Sequence, residues 1–349
     1  MSLFRWTPFI VVCSLWAAAA AAQEARLPDP LFQSDEILEV RIVAPMSTLL
    51  SERPDVEELP GTLHFMNAAG QAVDLDIKIR TRGKFRRQRE ICTFPPLRLN
   101  FKKSQTKGTL FHKQDKVKLV THCRSSSSYE QVLLREYEAY RILNVMTDSS
   151  YRVRLMQITY VDSAERRRDI VRHGFIIEHK SRLAKRLGKS VLNIPSTKPD
   201  QLEPEFANMI SVYHYLIGNT DFSSVLGIAG EDCCHNHVLF GNEGEAIRSI
   251  PYDFDQTGLV NAPYAGANPK FKLRSVKQRL YRGRCIHNER LDTTIAMFNE
   301  KRDEIMAVIG ESGALDKRST KSIRSYIDKF YDTVNSEKRV EREIVKKCI

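Results

Sequence analysis

Hydrophobic and polar positions along the chain follow two periods. Residues 37–43 alternate in the manner of a half-buried strand, and after a loop punctuated by Pro45, Pro54 and Pro60 the same period returns in 61–67 and 72–82. Val73, Leu75, Ile77 and Ile79 fall on one face of the last segment, and Asn67-Ala68-Ala69-Gly70 supplies the turn before it. Residues 97–101 and 116–122 read as further strands, and 153–162 with 172–179 as a hairpin around the polar tip 163–169. A helical period interrupts these strands from about 125 to 146, opened by Ser128-Tyr129-Glu130-Gln131, which matches a capping box. On that helix Val132, Glu136, Ala139 and Leu143 share a face, while Glu138 aligns with Leu134, Ile142 and Val145. Beyond residue 180 helices dominate: a basic one over 181–187, an apolar one over 205–217 stopped by Gly218, and two closing ones over about 289–309 and 317–347. Residues 189–204, with Pro195, Pro199 and Pro204, read as loop. The pattern predicts an α+β chain with a sheet-rich N-terminal lobe over 24–180 and a mostly helical C-terminal lobe over 181–349.

A different pattern occupies the first two dozen residues. Arg5 precedes an apolar run from Phe9 to Ala22 that ends in Ala20-Ala21-Ala22, the layout of a secretory signal peptide, so residues 1–23 are set aside from the fold. The run is shorter than the roughly 20 residues needed to cross a bilayer, and Cys13 inside it lacks a lipidation context. No later segment is apolar and long enough to span a membrane, so the mature chain is expected to be exported, in the periplasm or outside the cell, without a transmembrane helix. Six of the seven cysteines lie beyond the leader, an even number that reads as disulfides in such a compartment. Cys92 is expected to pair with Cys123, and the adjacent Cys233 and Cys234 with different partners among the remaining four. A formal net charge of +11, one less without Arg5, favours anionic partners: nucleotide, acidic protein, polyanionic glycan or membrane surface. A nucleic-acid partner is not expected.

Candidate chemistry concentrates between Val212 and Val260. Asp221 follows the helix stop Gly218-Asn219, Asn236 stands between His235 and His237 before a short apolar strand, and Ile250-Pro251 leads into Asp253-Phe254-Asp255. Oxygen ligands at the ends of regular elements suit a hard divalent cation, and phosphoryl transfer needs one group to orient the nucleophile and others to hold the metals. In that scheme Asp221 orients the attacking hydroxyl, with Asp232 as its competitor, and Asn236 and Asp253 hold the cation. Asp255 is either a second ligand or a loop anchor. Against this stand the ordinary roles of Asp and Asn in turns. The Cys233-Cys234-His235-Asn236-His237 run has zinc-type ligands but fits no common zinc module. Signatures of the common hydrolases and of eight-residue phosphate loops are missing from the sequence.

Taken together, Gly218-Asn219-Thr220-Asp221, His235 to Phe240 and Ile250 to Asp255 resemble the atypical protein kinases related to the spore-coat protein CotH. Weaker likeness reaches back through Lys78-Ile79-Arg80-Thr81-Arg82-Gly83 and Leu97-Arg98-Leu99-Asn100-Phe101. Two features depart from that pattern: a cysteine-bearing insertion between Asp221 and Asn236, and no multi-glycine phosphate loop. The resemblance implies a two-lobed protein-kinase-like fold, with an N-terminal antiparallel sheet plus helix, and transfer of phosphate from ATP, with Mg²⁺ or Mn²⁺, to Ser/Thr hydroxyls of exported or envelope proteins. It gives Asp221 the catalytic role and makes Asn236, Asp253 and Asp255 metal ligands. Lys118 would pair with Glu136, with Glu138 left open as the alternative, to hold nucleotide phosphates. Arg82 and Gly83, in a run of six basic side chains, would cradle the phosphates or else form a solvated hairpin tip. Backbone near Glu178 would meet an adenine ring or simply edge the sheet, and residues 259–284 would dock substrate or form a surface loop. The other functional classes are a catalytically inactive, kinase-like envelope protein that holds an acidic partner on its basic surface, and a polyanion binder without nucleotide chemistry.

Overall fold

The computed structural model describes residues 27–228 and 232–349, so the expected signal peptide lies outside the described residues. Seven strands, β1 (Leu38–Ala44), β2 (Leu59–Met66), β3 (Ala72–Thr81), β4 (Leu97–Phe101), β5 (Lys116–Val120), β6 (Val153–Asp162) and β7 (Ile170–Ile177), close into a barrel in the order β1-β2-β3-β4-β5-β7-β6. Short helices α1 (Met46–Glu52) and α2 (Lys103–Thr106) occupy its connections, and α3 (Ser127–Met146) runs between β5 and β6. After the barrel come α4 (Lys180–Leu187), β8 (Ser190–Leu192), α5 (Pro204–Ile217), β9 (His237–Gly241) and β10 (Arg248–Pro251). The chain then ends in α6 (Leu291–Glu300), α7 (Arg302–Val308), α8 (Lys317–Val334) and α9 (Glu337–Glu343).

This architecture overturns the expected two-lobed kinase-like fold with an N-terminal antiparallel sheet plus helix. The described residues form a closed, mixed seven-stranded barrel, a separate three-stranded sheet β10-β9-β8 and nine helices. Closure rests on β6, whose ten residues pair antiparallel with β7 on one side and parallel with β1 on the other, Leu38 opposite Met156 through Ala44 opposite Asp162. Both edges that an open sheet would expose are thereby consumed. Alternation does the rest: Val40 and Ile42 of β1, Leu75, Ile77 and Ile79 of β3, and Ile158 and Tyr160 of β6 fill the interior, with Phe65, Phe101 and Phe111 in edge and tilted ring contacts.

A second, larger core lies outside the barrel and crosses residue 180. It packs Leu134, Tyr140 and Ile142 of α3, and Val153, Leu155 and Phe175 on the outer face of β6 and β7, against Tyr213, Leu216 and Ile217 of α5, Phe298 of α6 and Phe330 of α8. Pro204 starts α5 at a position where its missing N–H costs nothing, and Gly218 ends it in the left-handed conformation. A Cβ at Gly218 would sit 2.1 Å from the Tyr326 hydroxyl, so close packing against α8 also demands glycine there. At the barrel's exit, Glu178 and Arg186 form a buried ion pair at 2.9 Å that fixes α4 to the end of β7. The Glu178 carboxylate is thus a structural anchor.

Several local expectations change. Ser128 and Gln131 form no capping box: α3 already starts at Ser127, and the Gln131 amide donates to the Ala314 carbonyl at 3.3 Å and accepts from the Asp316 N–H at 2.9 Å. Its neighbour Glu130 accepts from the His173 backbone N–H at 2.7 Å and meets the His173 ring at 2.8 Å, joining α3 to β7. The proline-punctuated loop contains α1, and each closing helix is broken in two, at Lys301 and at Asn335–Ser336. Cys92 bonds Cys123 as expected. Cys233 and Cys234 bond each other rather than separate partners, and Cys285 bonds Cys348. Among the described residues no helix is long and apolar enough to cross a membrane; with three bonded cysteine pairs this is compatible with export.

The Cys92–Cys123 bond spans 31 residues and ties the basic β3–β4 connection to the end of β5. By loop-closure entropy, Cys92→Ala/Cys123→Ala should lower the unfolding free energy by about 3–4 kcal/mol. Urea denaturation of the oxidised protein measures this, and an unchanged midpoint would mean that packing alone holds the connection.

Candidate functional site

A cleft of about 470 Å³ opens between one end of the barrel and the small sheet. The barrel contributes Arg82 and Gly83 just past β3, Val120 at the end of β5 and Ile177 at the end of β7; the opposite wall holds Asp221, Asn236, Asp253 and Asp255. Register brings the last group together. In the β9–β10 ladder His237 pairs with Pro251, and one step further the Tyr252 N–H donates to the Asn236 carbonyl at 3.0 Å. Asn236 and Asp253 flank that bond, both with positive φ (56° and 65°), a conformation that Asn and Asp tolerate better than most side chains. Asp253 is steadied by its N–H, which donates to the Tyr140 hydroxyl of α3 at 2.8 Å.

Asp221 is held from both sides. One carboxylate oxygen meets His235 Nε2 at 2.8 Å, while Asn236 Nδ2 donates to the other at 3.1 Å and to the Asp221 carbonyl at 2.7 Å. The hydrogen bond to Asp221 raises the His235 imidazole above its ordinary value although partial burial opposes this. Asp232, the competing carboxylate, also lines the cleft but is exposed.

Below this loop runs a chain of buried polar groups. Asn219 Nδ2 donates to His214 Nδ1 (3.2 Å), His214 Nε2 faces His237 Nε2 (2.9 Å), His237 Nδ1 reaches the Ser249 hydroxyl (2.9 Å), and that hydroxyl donates to the Ser224 carbonyl (2.9 Å). One set of neutral tautomers satisfies every link: His214 donates from Nε2 to His237, and His237 donates from Nδ1 to Ser249. Phe222 stacks on the His214 ring at 3.7 Å between centroids. The end of α5, the loop after Asp221 and both long strands of the small sheet are therefore one hydrogen-bonded unit.

On the barrel side, charge is arranged in two groups. Arg86, from the basic connection, turns inward and is 9% exposed; its Nη1 lies 3.4 Å from Glu136 and 3.8 Å from Asp255, and its Nη2 donates to the Thr121 carbonyl at 2.7 Å. Burial opposes its charge, yet Tyr264, Glu136 and Asp255 around it hold the guanidinium above its usual value. Burial raises Glu136 well above the carboxylate range and, with the neighbouring charge of Asp253, pushes Asp255 up to about 7, both against the pull of Arg86. The second group centres on Lys118, opposite Arg98 in the β4–β5 ladder, with its ammonium 4.2 Å from the Tyr252 ring centroid. The residue is half-buried, and the protein atoms crowding its ammonium cost it hydration. Burial and the positive charges of Arg82, Arg98 and Lys180 drop it to about 7, although Asp253 pulls the other way.

The structure thus brings Arg82, Gly83, Asp221, Asn236, Asp253 and Asp255 to one cleft, with Lys118 beside it. It separates the expected Lys118–Glu136 pair: among the described residues these two form no ion pair, and Glu136 takes Arg86 instead. Glu138 points away to the C-terminal helices, where it accepts from the Gly310 N–H at 3.2 Å. Sequence reasoning missed Arg86, Tyr140, Tyr264 and the His214–His237 pair. Tyr140, one turn after Glu136 on the same stripe of α3, was within reach of helical periodicity; Arg86 was one of six similar basic residues.

The donor set is hard oxygen. Among the described residues no three His, Cys, Asp or Glu side chains gather as a metal cage. Two carboxylates and one amide oxygen remain, with Asn236 Nδ2 already committed to Asp221 and the buried Glu136 Oε1 without a hydrogen-bond partner. Such a partial shell fits Mg²⁺ or Mn²⁺ completed by water and phosphate oxygens better than a cation that needs a full protein cage. Compared with protein-family models and with curated proteins, the chain matches none.

Acid should loosen the polar unit under Asp221. Burial holds both histidines below the ordinary imidazole value, His237 at about 3, so between pH 6.5 and 3 the unfolded chain binds protons that the folded one refuses. Stability is therefore present above pH 6.5 and lost as the pH falls. At pH 5 the His237 share is about 2 kcal/mol, and the loss between pH 7 and 5 should shrink by about that amount in His237→Gln. Urea titrations at the two pH values test this; equal losses in both proteins would reject the neutral pair.

Proposed function

We propose that the protein is an ATP- and divalent-metal-dependent phosphotransferase that phosphorylates Ser/Thr hydroxyls of proteins outside the cytoplasm. The observation that carries this reading is the polarity of the cleft: Asp221, Asn236, Asp253 and Asp255 on one wall, and Arg82, Gly83 and Lys118 on and beside the other. A carboxylate-and-amide edge facing a cationic edge matches a polyphosphate carried with its metal. A bound Mg²⁺ or Mn²⁺ would neutralise charge on the phosphate oxygens, held by Asp253, Asp255 and the amide oxygen of Asn236. Gly83, at φ 83° with no side chain over it, leaves its backbone open to approach a phosphate. Arg82 and the Lys118 ammonium orient the transferred group.

Asp221 takes the proton of the attacking hydroxyl. Its carboxylate is already oriented by His235 and Asn236, so little freedom remains to be lost when the acceptor arrives. The Arg86–Glu136–Asp255 cluster sets the distance between α3 and the segment after β10, and so keeps Asp253 and Asp255 facing the basic connection. These roles are performed by this barrel-and-sheet arrangement without a glycine-rich phosphate loop.

Two measurements test the reading. Asp253→Asn preserves shape and tolerance of the left-handed conformation but removes the charge; it should remain folded and lose about a hundredfold or more of phosphate transfer. Calorimetric titration of ATP with Mg²⁺, Mn²⁺ or chelator should show metal-dependent binding by the parent protein, and no binding by the folded protein would leave a non-catalytic binding protein as the better description. The same titration reads Lys118. With its ammonium at about 7 when free, the group is mostly neutral at pH 8 and regains its proton when phosphate arrives, whereas at pH 6 it is already charged. Buffers of different ionisation heat should therefore show proton uptake at pH 8 that fades at pH 6 and is missing in Lys118→Met.

A further inference from the structure

Two more cavities continue from the acidic side of the cleft. The first, about 860 Å³, starts at Asp221 and His235 and is rimmed by Phe85, Leu226 and Ile228, which are 41%, 59% and 52% exposed. Large apolar side chains so open to water, gathered at one opening beside Asp221, mark a contact surface more than a folding remainder. The floor is fixed by Arg282, which donates to the Thr220 and Phe222 carbonyls at 3.1 and 2.7 Å and lies between the Phe222 and Phe271 rings, 4.8 and 4.6 Å from their centroids. Phe271 and Lys270 pass from this cavity into the second, about 840 Å³, which runs on to α8 and α9.

The character of the groove changes along its length. In the second cavity Lys270, Lys272, Lys329 and Lys347 are exposed, and among the described residues none of them pairs with an acidic side chain. Of the two acidic residues there, Glu343 is engaged by the Tyr215 hydroxyl at 2.8 Å and by Arg342. Unneutralised like charges along a groove repel one another and attract an anionic chain.

Resting on the phosphotransferase reading, we propose that the phosphate acceptor is an extended acidic polypeptide segment. Its hydroxyl lies at Asp221, an apolar side chain beside that hydroxyl sits among Phe85, Leu226 and Ile228, and carboxylates further along lie on Lys270, Lys272 and Lys329. The apolar end sets the register of the hydroxyl, and the basic end selects for charge. Transfer breaks the bond between the γ-phosphorus and its bridging oxygen and forms one to the acceptor oxygen; the hydroxyl proton passes to Asp221, and ADP leaves with the bridging oxygen.

The test uses fluorescent twelve-residue peptides that carry one Ser beside a Leu, with four Glu on either the N-terminal or the C-terminal side, and versions with Gln in place of Glu. By anisotropy against the oxidised full chain, one of the Glu peptides should bind about tenfold or more tighter than its Gln version. Lys270→Glu/Lys272→Glu should remove that preference and leave metal-dependent ATP binding intact. Arg167→Glu/Arg168→Glu, the same charge change on the exposed β6–β7 tip outside both cavities, should keep it. With ATP and Mg²⁺, the preferred peptide should also gain phosphate faster than its Gln version. Equal binding of Glu and Gln peptides, or equal weakening by the two charge reversals, would overturn the groove. Metal-dependent ATP binding together with tight peptide binding but no transfer to Ser would overturn the acceptor assignment. Peptide selectivity without any ATP binding would instead overturn the phosphotransferase reading.

Discussion

One buried guanidinium organises the cleft. Arg86 leaves an otherwise exposed basic connection to serve two carboxylates, Glu136 of α3 and Asp255 after β10, and the carbonyl of Thr121. Removing such charges from water costs several kcal/mol per ion, which the arrangement offsets only if all of them stay together. The cluster therefore works as a spacer. Barrel, long helix and small sheet keep their separation because any sliding would strand a charge in the interior. Burial, helped by the neighbouring negative charge, is why Asp255 and Glu136 hold protons more firmly than exposed acids do even beside the guanidinium.

The opposite wall relies on direction more than on charge. From Asn219 through His214, His237 and Ser249 to Ser224, each group has one donor and one acceptor pointing the right way. A chain of this kind is satisfied in only one sense, and so it fixes the loop of Asp221 relative to the strands that present Asn236 and Asp253. The left-handed backbone at Asn236 and Asp253 then turns these side chains out of the ladder and toward the cleft. Rigidity on both walls suits a reaction in which placement of groups supplies most of the rate.

How much of this could be read from the sequence depended on range. Two-residue alternation marked β1, β2, β3 and β6 because an inward residue of a strand announces itself within a few positions. Gly218 and the Ile250-Pro251 segment likewise placed Asp221 and Asp253 at the ends of elements. Closure of the barrel was not legible, since nothing near Leu38 specifies Met156 as its partner. The partner of Glu136 was equally hidden: a buried acid on the apolar stripe of α3 called for a cation and Lys118 was the expected one, while nothing in the basic run from Arg80 to Arg89 marked Arg86 as the side chain that turns inward. The cysteines divide in the same way. Cys92 and Cys123 fall at the ends of strands that a hairpin-like path brings together, whereas the adjacent Cys233 and Cys234 gave no sign that each would choose the other.

The parallel seam between β1 and β6 also bears on how the molecule assembles. β1 can join β2 as soon as both exist, but its other edge must wait for a strand that emerges from the ribosome roughly 120 residues later, an unusually distant pairing for neighbouring strands. Until then Leu38 to Ala44 offers a row of unpaired amides and carbonyls to whatever passes. Glu39 and Arg41, charged and outward-facing in the midst of that strand, are well placed to discourage a foreign strand during the interval. The sixth strand thus completes the protection of the first.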